Sequence, residues 1–161
     1  MIKLKKIIMP YYIFIMKIKS FFGKYISNWL NGMLYYHHYV FWPKNKLHLS
    51  SSASINNCLL NTNSGHIYIW DFVFCGHNTS IITGTHDYNK FNEERLMYFP
   101  KEWNDIIIEK GVRIWSSVTI LWPCKIWEWA VIAAWSIVIN DVKPYTIVWW
   151  IPAKFIKSIK H

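Results

Sequence analysis

The chain has 161 residues, of which 53% are hydrophobic and 19% aromatic, with a formal net charge of +9 and a pI near 9.5. That length supports one domain with its own core rather than two, and the apolar residues are scattered rather than gathered into the ~20-residue run that crosses a bilayer. The positive charge favours anionic partners, whether nucleic acid, acidic lipid headgroups or a phosphorylated cofactor, without choosing among them.

Residues 1–40 form a basic arm carrying Lys3, Lys5, Lys6, Lys17, Lys19 and Lys24 around an apolar stretch from Ile7 to Met16. The order superficially resembles a signal peptide, but Pro10 interrupts the apolar run and no small-residue cleavage site follows. The expected structure is an amphipathic, aromatic-rich helix or pair of helices, packed on the end of the domain or lying at a membrane surface. The corresponding location is cytoplasmic, with peripheral contact at the inner membrane face through the arm. Three cysteines, Cys58, Cys75 and Cys124, are an odd number without CxxC spacing, so neither a disulfide framework nor a zinc ribbon is indicated. They read as small apolar core residues in a reducing compartment.

Residues 41–161 are expected to form that single domain. Ile108, Ile114, Ile120, Ile126, Ile132 and Val138 recur every six residues, and four positions after each stand Val112, Val118, Cys124, Ala130, Ser136 and Val142, all small or β-branched. The same register appears earlier in Ile69, Cys75 and Ile81, followed by Val73, Thr79 and Thr85. Six is neither the 3.6 period of a helix nor the period of 2 of a solvent-faced strand. It calls for a chain that turns a corner every six residues. A triangular β-solenoid does so, with one aliphatic side chain per flat side pointing inward, a small residue at the corner, and each coil covering the next. An antiparallel sandwich would instead show turn clusters every 8–12 residues. The expected fold class is therefore all-β, a three-sided parallel β-helix with a short helical N-terminal arm, an extended loop at 87–105 where the hexads stop, and a C-terminal tail at 143–161.

The stretch Ile114 to Lys154, IWSSVTILWPCKIWEWAVIAAWSIVINDVKPYTIVWWIPAK, resembles the C-terminal half of hexapeptide-repeat O-acetyltransferases, and TGTHDYNKFNEER resembles their catalytic-histidine segment. The likeness runs over residues 42–157 and is nearest to the polysaccharide and sugar type, which implies a left-handed β-helix. One departure stands out. Trp70, Trp103, Trp115, Trp122, Trp127, Trp129, Trp135, Trp149 and Trp150 occupy places where the family pattern has glycine, and Trp42 is a further candidate. Corner residues there take φ > 0 or sit where a side chain would strike the next coil, which strains a bulky residue. The chain also carries 11 Trp against 6 Gly, an inversion of ordinary usage. The expectation is a conceptual translation in which UGA codons that the source organism reads as glycine were written as tryptophan.

Acyl transfer from a thioester to a sugar hydroxyl needs a base at the acceptor oxygen, because a hydroxyl is a poor nucleophile until its proton is being removed. His86, five residues past Ile81 where the loop begins, is the candidate, and the resemblance matches it to the family's catalytic histidine. Asp87 is a second candidate, for orienting the imidazole or binding the acceptor, against the reading of an exposed turn aspartate. His66 and His77 read as packing or surface residues, and Glu93, Glu94 and Arg95 as a solvated cluster. The resemblance further implies acetyl-CoA as donor, lying in a groove between adjacent prisms lined by Ser116, Ala134 and Asn140. Lys154 and Lys157 would meet its phosphates.

A saccharide acceptor and a homotrimer with sites at the subunit contacts follow from the same resemblance, with serine, a sugar nucleotide or an antibiotic as the runner-up acceptor. No metal is expected, since His66, His77 and His86 lack the close pair of a γ-type carbonic anhydrase site. Nor is a nucleic acid partner expected, because no recognisable nucleic-acid module is present. A non-catalytic binding protein is the remaining alternative.

Overall fold

The structure, a computed structural model, describes residues 14–30, 37–101 and 103–160. Lys3, Lys5, Lys6, Pro10 and the first part of the apolar stretch lie outside the described residues. The chain divides into two compact units, Met1–Tyr36 and His37–His161. In the first, residues 14–30 form one α-helix, α1.

The second unit is a three-sided solenoid of short strands. Chain order runs β1 (Tyr39–Phe41), β2 (Leu47–Leu49), β3 (Ser54–Ile55), β4 (Leu59–Asn61), β5 (Ile67–Ile69), β6 (Phe74–Cys75) and β7 (Ser80–Ile82). A loop carrying the short helix α2 (Asn92–Met97) intervenes, and then come β8 (Ile106–Ile108), β9 (Arg113–Ile114), β10 (Thr119–Leu121), β11 (Cys124–Ile126), β12 (Val131–Ile132) and β13 (Ile137–Val138). The chain closes with β14 (Thr146–Trp149) and β15 (Lys154–Ser158). Through β13 every third strand joins the same parallel sheet: sheet A is β1-β4-β7-β10-β13, sheet B is β2-β5-β8-β11, and sheet C is β3-β6-β9-β12, which β14 extends after a single bridge of Val142 to Ile126 on sheet B, with β15 added at its edge.

The hexad explains this winding. Ile108 lies on sheet B, Ile114 on C, Ile120 on A, and the next three repeat positions revisit the sheets in the same order. Residues 18 apart therefore stack directly, Ile108 on Ile126, Ile114 on Ile132 and Ile120 on Val138. All six are buried, as are the small residues Val112, Val118, Cys124, Ala130, Ser136 and Val142, which fill the inside of the corners. Thr85 leaves this column and is only partly buried, because the chain departs from the prism one turn early; Thr83 is buried instead.

Columns of aliphatic residues from neighbouring coils, one on each face, make the core, so a deletion within one leaves a void that rigid strands above and below cannot close. Ile120, fully buried and paired with Ile81 and Val138, is the clearest case. Ile120→Ala is expected to lower unfolding free energy by about 2–5 kcal/mol, read from denaturant unfolding, while the exposed neighbour Ile139→Ala changes it by less than about 1 kcal/mol.

Residues 143–161, expected as a tail, continue the structure. β14 pairs with β12 as the last turn of sheet C, and β15 folds back antiparallel on β14 with a bulge between Ile147 and Val148. β15 covers the edge that sheet C would otherwise present to other strands.

The corners stack in two columns of left-handed residues. One holds Asn57, Asn78, Ser117 and Trp135, the other Phe72, Gly111, Trp129 and Tyr145; the Asn78 amide donates to the Asn57 carbonyl, and the amides of Ser117, Trp135, Gly111, Trp129 and Tyr145 donate to the carbonyls of His77, Ser116, Asp71, Lys110 and Glu128, each just before the corner residue one coil earlier. Trp103 and Trp150 also have positive φ, at 79° and 97°. Trp70, Trp115, Trp122, Trp127 and Trp149 do not, so backbone strain applies to four of the nine tryptophans and not to all of them. Gly111, at φ 69°, lies beneath the Trp129 ring, and a Cβ there would come within 2.4 Å of Trp129 Cε3.

Candidate active site

His86 stands just beyond β7, where the chain leaves sheet A for the loop, and its imidazole is exposed. Its Nδ1 is 2.8 Å from the carbonyl oxygen of Arg95. A carbonyl can only accept, so Nδ1 is the donor, and in a neutral imidazole the lone pair then resides on Nε2. Phe99 meets the ring edge-on at 6.4 Å between centroids. The histidine is therefore presented with one nitrogen anchored and the other able to accept a proton.

The loop that supplies this carbonyl is held by its own polar contacts. Arg95 donates through Nε to the Lys90 carbonyl and through a terminal nitrogen to the Tyr88 carbonyl at 2.8 Å, and its guanidinium lies over the Phe91 ring. Lys90 pairs with Glu94. Glu93 and Glu94 occupy the first turn of α2, where the helix dipole favours negative charge. Asp87 Oδ1 accepts the Asn89 amide hydrogen at 2.9 Å, an Asx turn. That carboxylate shapes the turn after the histidine, while the imidazole takes its orientation from Arg95.

The residues expected to line the donor groove fall on two edges of the prism. Ser116 follows β9 and Ala134 follows β12, so both sit on the edge between sheets C and A on consecutive coils, where the Trp135 amide donates to the Ser116 carbonyl. Gly76 occupies the same edge one coil earlier, and a Cβ there would lie 2.5 Å from the Ser116 nitrogen. The Ala153 amide donates to the Ile137 carbonyl, which places the turn before Lys154 beside the start of β13, above Ala134. Lys154 and Lys157 are exposed on β15. Asn140 lies at the far end of β13, on the edge between sheets A and B, beside a cavity of about 470 Å³ that Lys143, Phe155 and Ser158 also line. His86 shares the A–B edge with Asn140. Within one chain the width of sheet A thus separates the histidine from Ser116 and Ala134.

Other reactive groups are accounted for locally. His48 Nε2 and His66 Nδ1 are 2.9 Å apart, and both rings stack with Tyr68 on the outside of sheet B, remote in topology from His77 on the C–A edge. Among the described residues no three His, Cys, Asp or Glu side chains gather as a metal site. The three cysteines are free and buried. Burial pushes the Cys124 thiol up to about 12, and the neighbouring Cys58 together with burial raises Cys75 well above its ordinary value, so the nucleophilic thiolate is suppressed at both.

Sequence reading missed the Arg95 carbonyl. A backbone acceptor has no signature in residue type, and the only hint was an arginine nine residues after the histidine with a carboxylate pair beside it.

No protein-family model matches the chain, and no curated protein matches it. Among solved structures, a hexapeptide-repeat-containing acetyltransferase from Vibrio cholerae, complexed with acetyl coenzyme A, is 26% identical with a TM-score of 0.53, covering 86% of this chain and 79% of that one. A maltose O-acetyltransferase from Clostridium difficile gives a TM-score of 0.59 at 23% identity, over 78% of this chain and 65% of that one. A mutant N-acyltransferase from Bacillus cereus, in complex with an aminodideoxyglucose nucleotide and coenzyme A, gives 0.60 at 17% identity, over 77% and 78%. The last two show likeness of fold alone. The solenoid is the left-handed parallel β-helix of these acyltransferases.

Proposed function

We propose that this acyltransferase moves the acetyl group of acetyl-CoA onto a hydroxyl of a sugar or polysaccharide precursor, with His86 as general base. The observation that carries the reading is the His86–Arg95 contact, which fixes the tautomer with the lone pair on Nε2 at the mouth of the loop. His86 Nε2 accepts the hydroxyl proton as the acceptor oxygen bonds to the thioester carbon. The resulting imidazolium returns that proton to the sulfur as the carbon–sulfur bond breaks, so the base is regenerated in each turnover. A base of this kind, whose second nitrogen is held by a fixed carbonyl, loses little orientation on forming the charged ring.

Ser116, Ala134 and Asn140 are the proposed wall for the donor's pantetheine arm, with Lys154 and Lys157 for its phosphates. Edges built from backbone groups and small side chains suit a long thin chain, and two lysines supply point charges. Because His86 lies on one edge of the prism and Ser116 and Ala134 on another, the complete site is assigned to the contact between subunits of a homotrimer. Asp87, next to the histidine in the chain, is the residue proposed to meet the acceptor.

The test is thiol release from acetyl-CoA with a panel of free saccharides, saccharide precursors, serine and an amino-sugar nucleotide. Release stimulated by a saccharide hydroxyl is expected. Stimulation by serine or the amino sugar alone would replace the acceptor assignment, and no release with any acceptor would overturn acetyl transfer.

A further inference from the structure

We infer that α1 is a membrane-surface anchor that lies in the headgroup region of an anionic bilayer. At 100° per residue, Phe14, Ile18, Phe21, Phe22, Tyr25 and Ile26 fall within an arc of about 140° on one side of the helix. Ser20 and Ser27 lie opposite, and Lys24 lies between them and the Phe21 edge of the arc. Phe21 is 68% exposed and Tyr25 69%, and the two rings stack on one another across one turn at 6.5 Å, forming a continuous aromatic surface.

The charges decide the occupant. Lys17 borders the arc on the Phe21 side and Lys19 on the Ile26 side, where long stems can lie along the apolar face and lift their ammonium groups to the phosphates. No acidic residue precedes Asp71, so nothing within the arm neutralises these lysines. A second copy of the helix would bring like charges against the same edges. An anionic bilayer instead satisfies the arc and its basic rims together. Among the described residues no helix is long and apolar enough to cross a membrane, and the orientation proposed for α1 is parallel to the surface.

Flotation of the full chain with phosphatidylcholine vesicles, with and without about 30% phosphatidylglycerol, tests this directly. The expected result is binding to the anionic vesicles, at least about tenfold weaker to the neutral ones, and weakening as salt is raised. K17Q/K19Q/K24Q should lower partition roughly a hundredfold, about fivefold per lysine, and F21S/F22S should abolish it. Thiol release with a soluble acceptor should be unchanged in both variants, so a failure of the anchor and a failure of the proposed reaction are read separately. A folded chain, judged by its thermal transition, that floats with neither vesicle overturns the inference. So does binding that survives both sets of substitutions, or amide exchange showing the helix already protected without vesicles.

Discussion

His86→Ala lowers kcat for acetyl transfer by about 10²–10⁴-fold and leaves the KM for acetyl-CoA within about threefold. The magnitude is that of removing a general base while the proposed donor wall at Ser116 and Ala134, on a different edge of the prism from His86, keeps its shape. His86→Gln is the sharper variant, because its amide can still donate to the Arg95 carbonyl and keep the loop closed but cannot take up a proton. Equal losses in the two variants assign the effect to proton transfer. Recovery of most activity in the glutamine variant would make the histidine a structural residue of the loop.

Glycine at Trp103, Trp129, Trp135 and Trp150 raises unfolding free energy by about 2–6 kcal/mol in total, and the melting temperature by roughly 5–20 °C for a chain of this size. Trp129 and Trp135, at φ 55° and 58°, are in the ordinary left-handed well, where the same columns hold Phe72 at 58° and Tyr145 at 54°. Their strain sits near the low end, about 1 kcal/mol each. Trp103 and Trp150, at 79° and 97°, lie outside that well, in backbone that glycine enters freely and a β-carbon opposes. The greater freedom of glycine in the unfolded chain takes back roughly 0.5–1 kcal/mol per site, already deducted in the total. Little contact is lost at Trp103 and Trp135, which are 89% and 73% exposed, while Trp129 gives up its ring's contact with Gly111 and Trp150 its edge-to-face contact with Trp149. UGA codons at these positions, and glycine masses in peptides spanning 122–135 from the source organism, are the matching observations in the gene and the native protein. Thermal unfolding of the tryptophan and glycine forms side by side measures the effect; an unchanged or lower melting temperature in the glycine form contradicts it.

The winding was legible because one side chain per face repeats without a slip. The hexads from Ile108 to Val138 assign each strand to its sheet, and the stacking of residues 18 apart follows from three faces. β15 was not legible. KFIKS carries no alternation, all five residues are exposed, and its antiparallel return is set by the turn at residues 150–153 rather than by a hexad. α2 was equally hidden, being six residues with no buried face.

At the site, the histidine could be found from where the hexads stop, but its orientation could not, because Arg95 contributes a backbone oxygen. Asp87, the acidic neighbour that residue type alone would choose, turns its carboxylate to the Asn89 amide. The separation of His86 from Ser116 and Ala134 is also a property of the wound chain. Sequence distance says nothing of which edge of a prism a corner residue occupies until the faces have been counted.

A crystal structure of the chain with coenzyme A bound tests the proposed site most directly. The prediction is a pantetheine arm running along the edge that carries Ser116 and Ala134, with its sulfur close enough to a His86 imidazole, of the same or a neighbouring subunit, for an acceptor oxygen to bridge them at about 3–3.5 Å. A sulfur placed away from every His86, for instance against the His48–His66–Tyr68 stack, would contradict it.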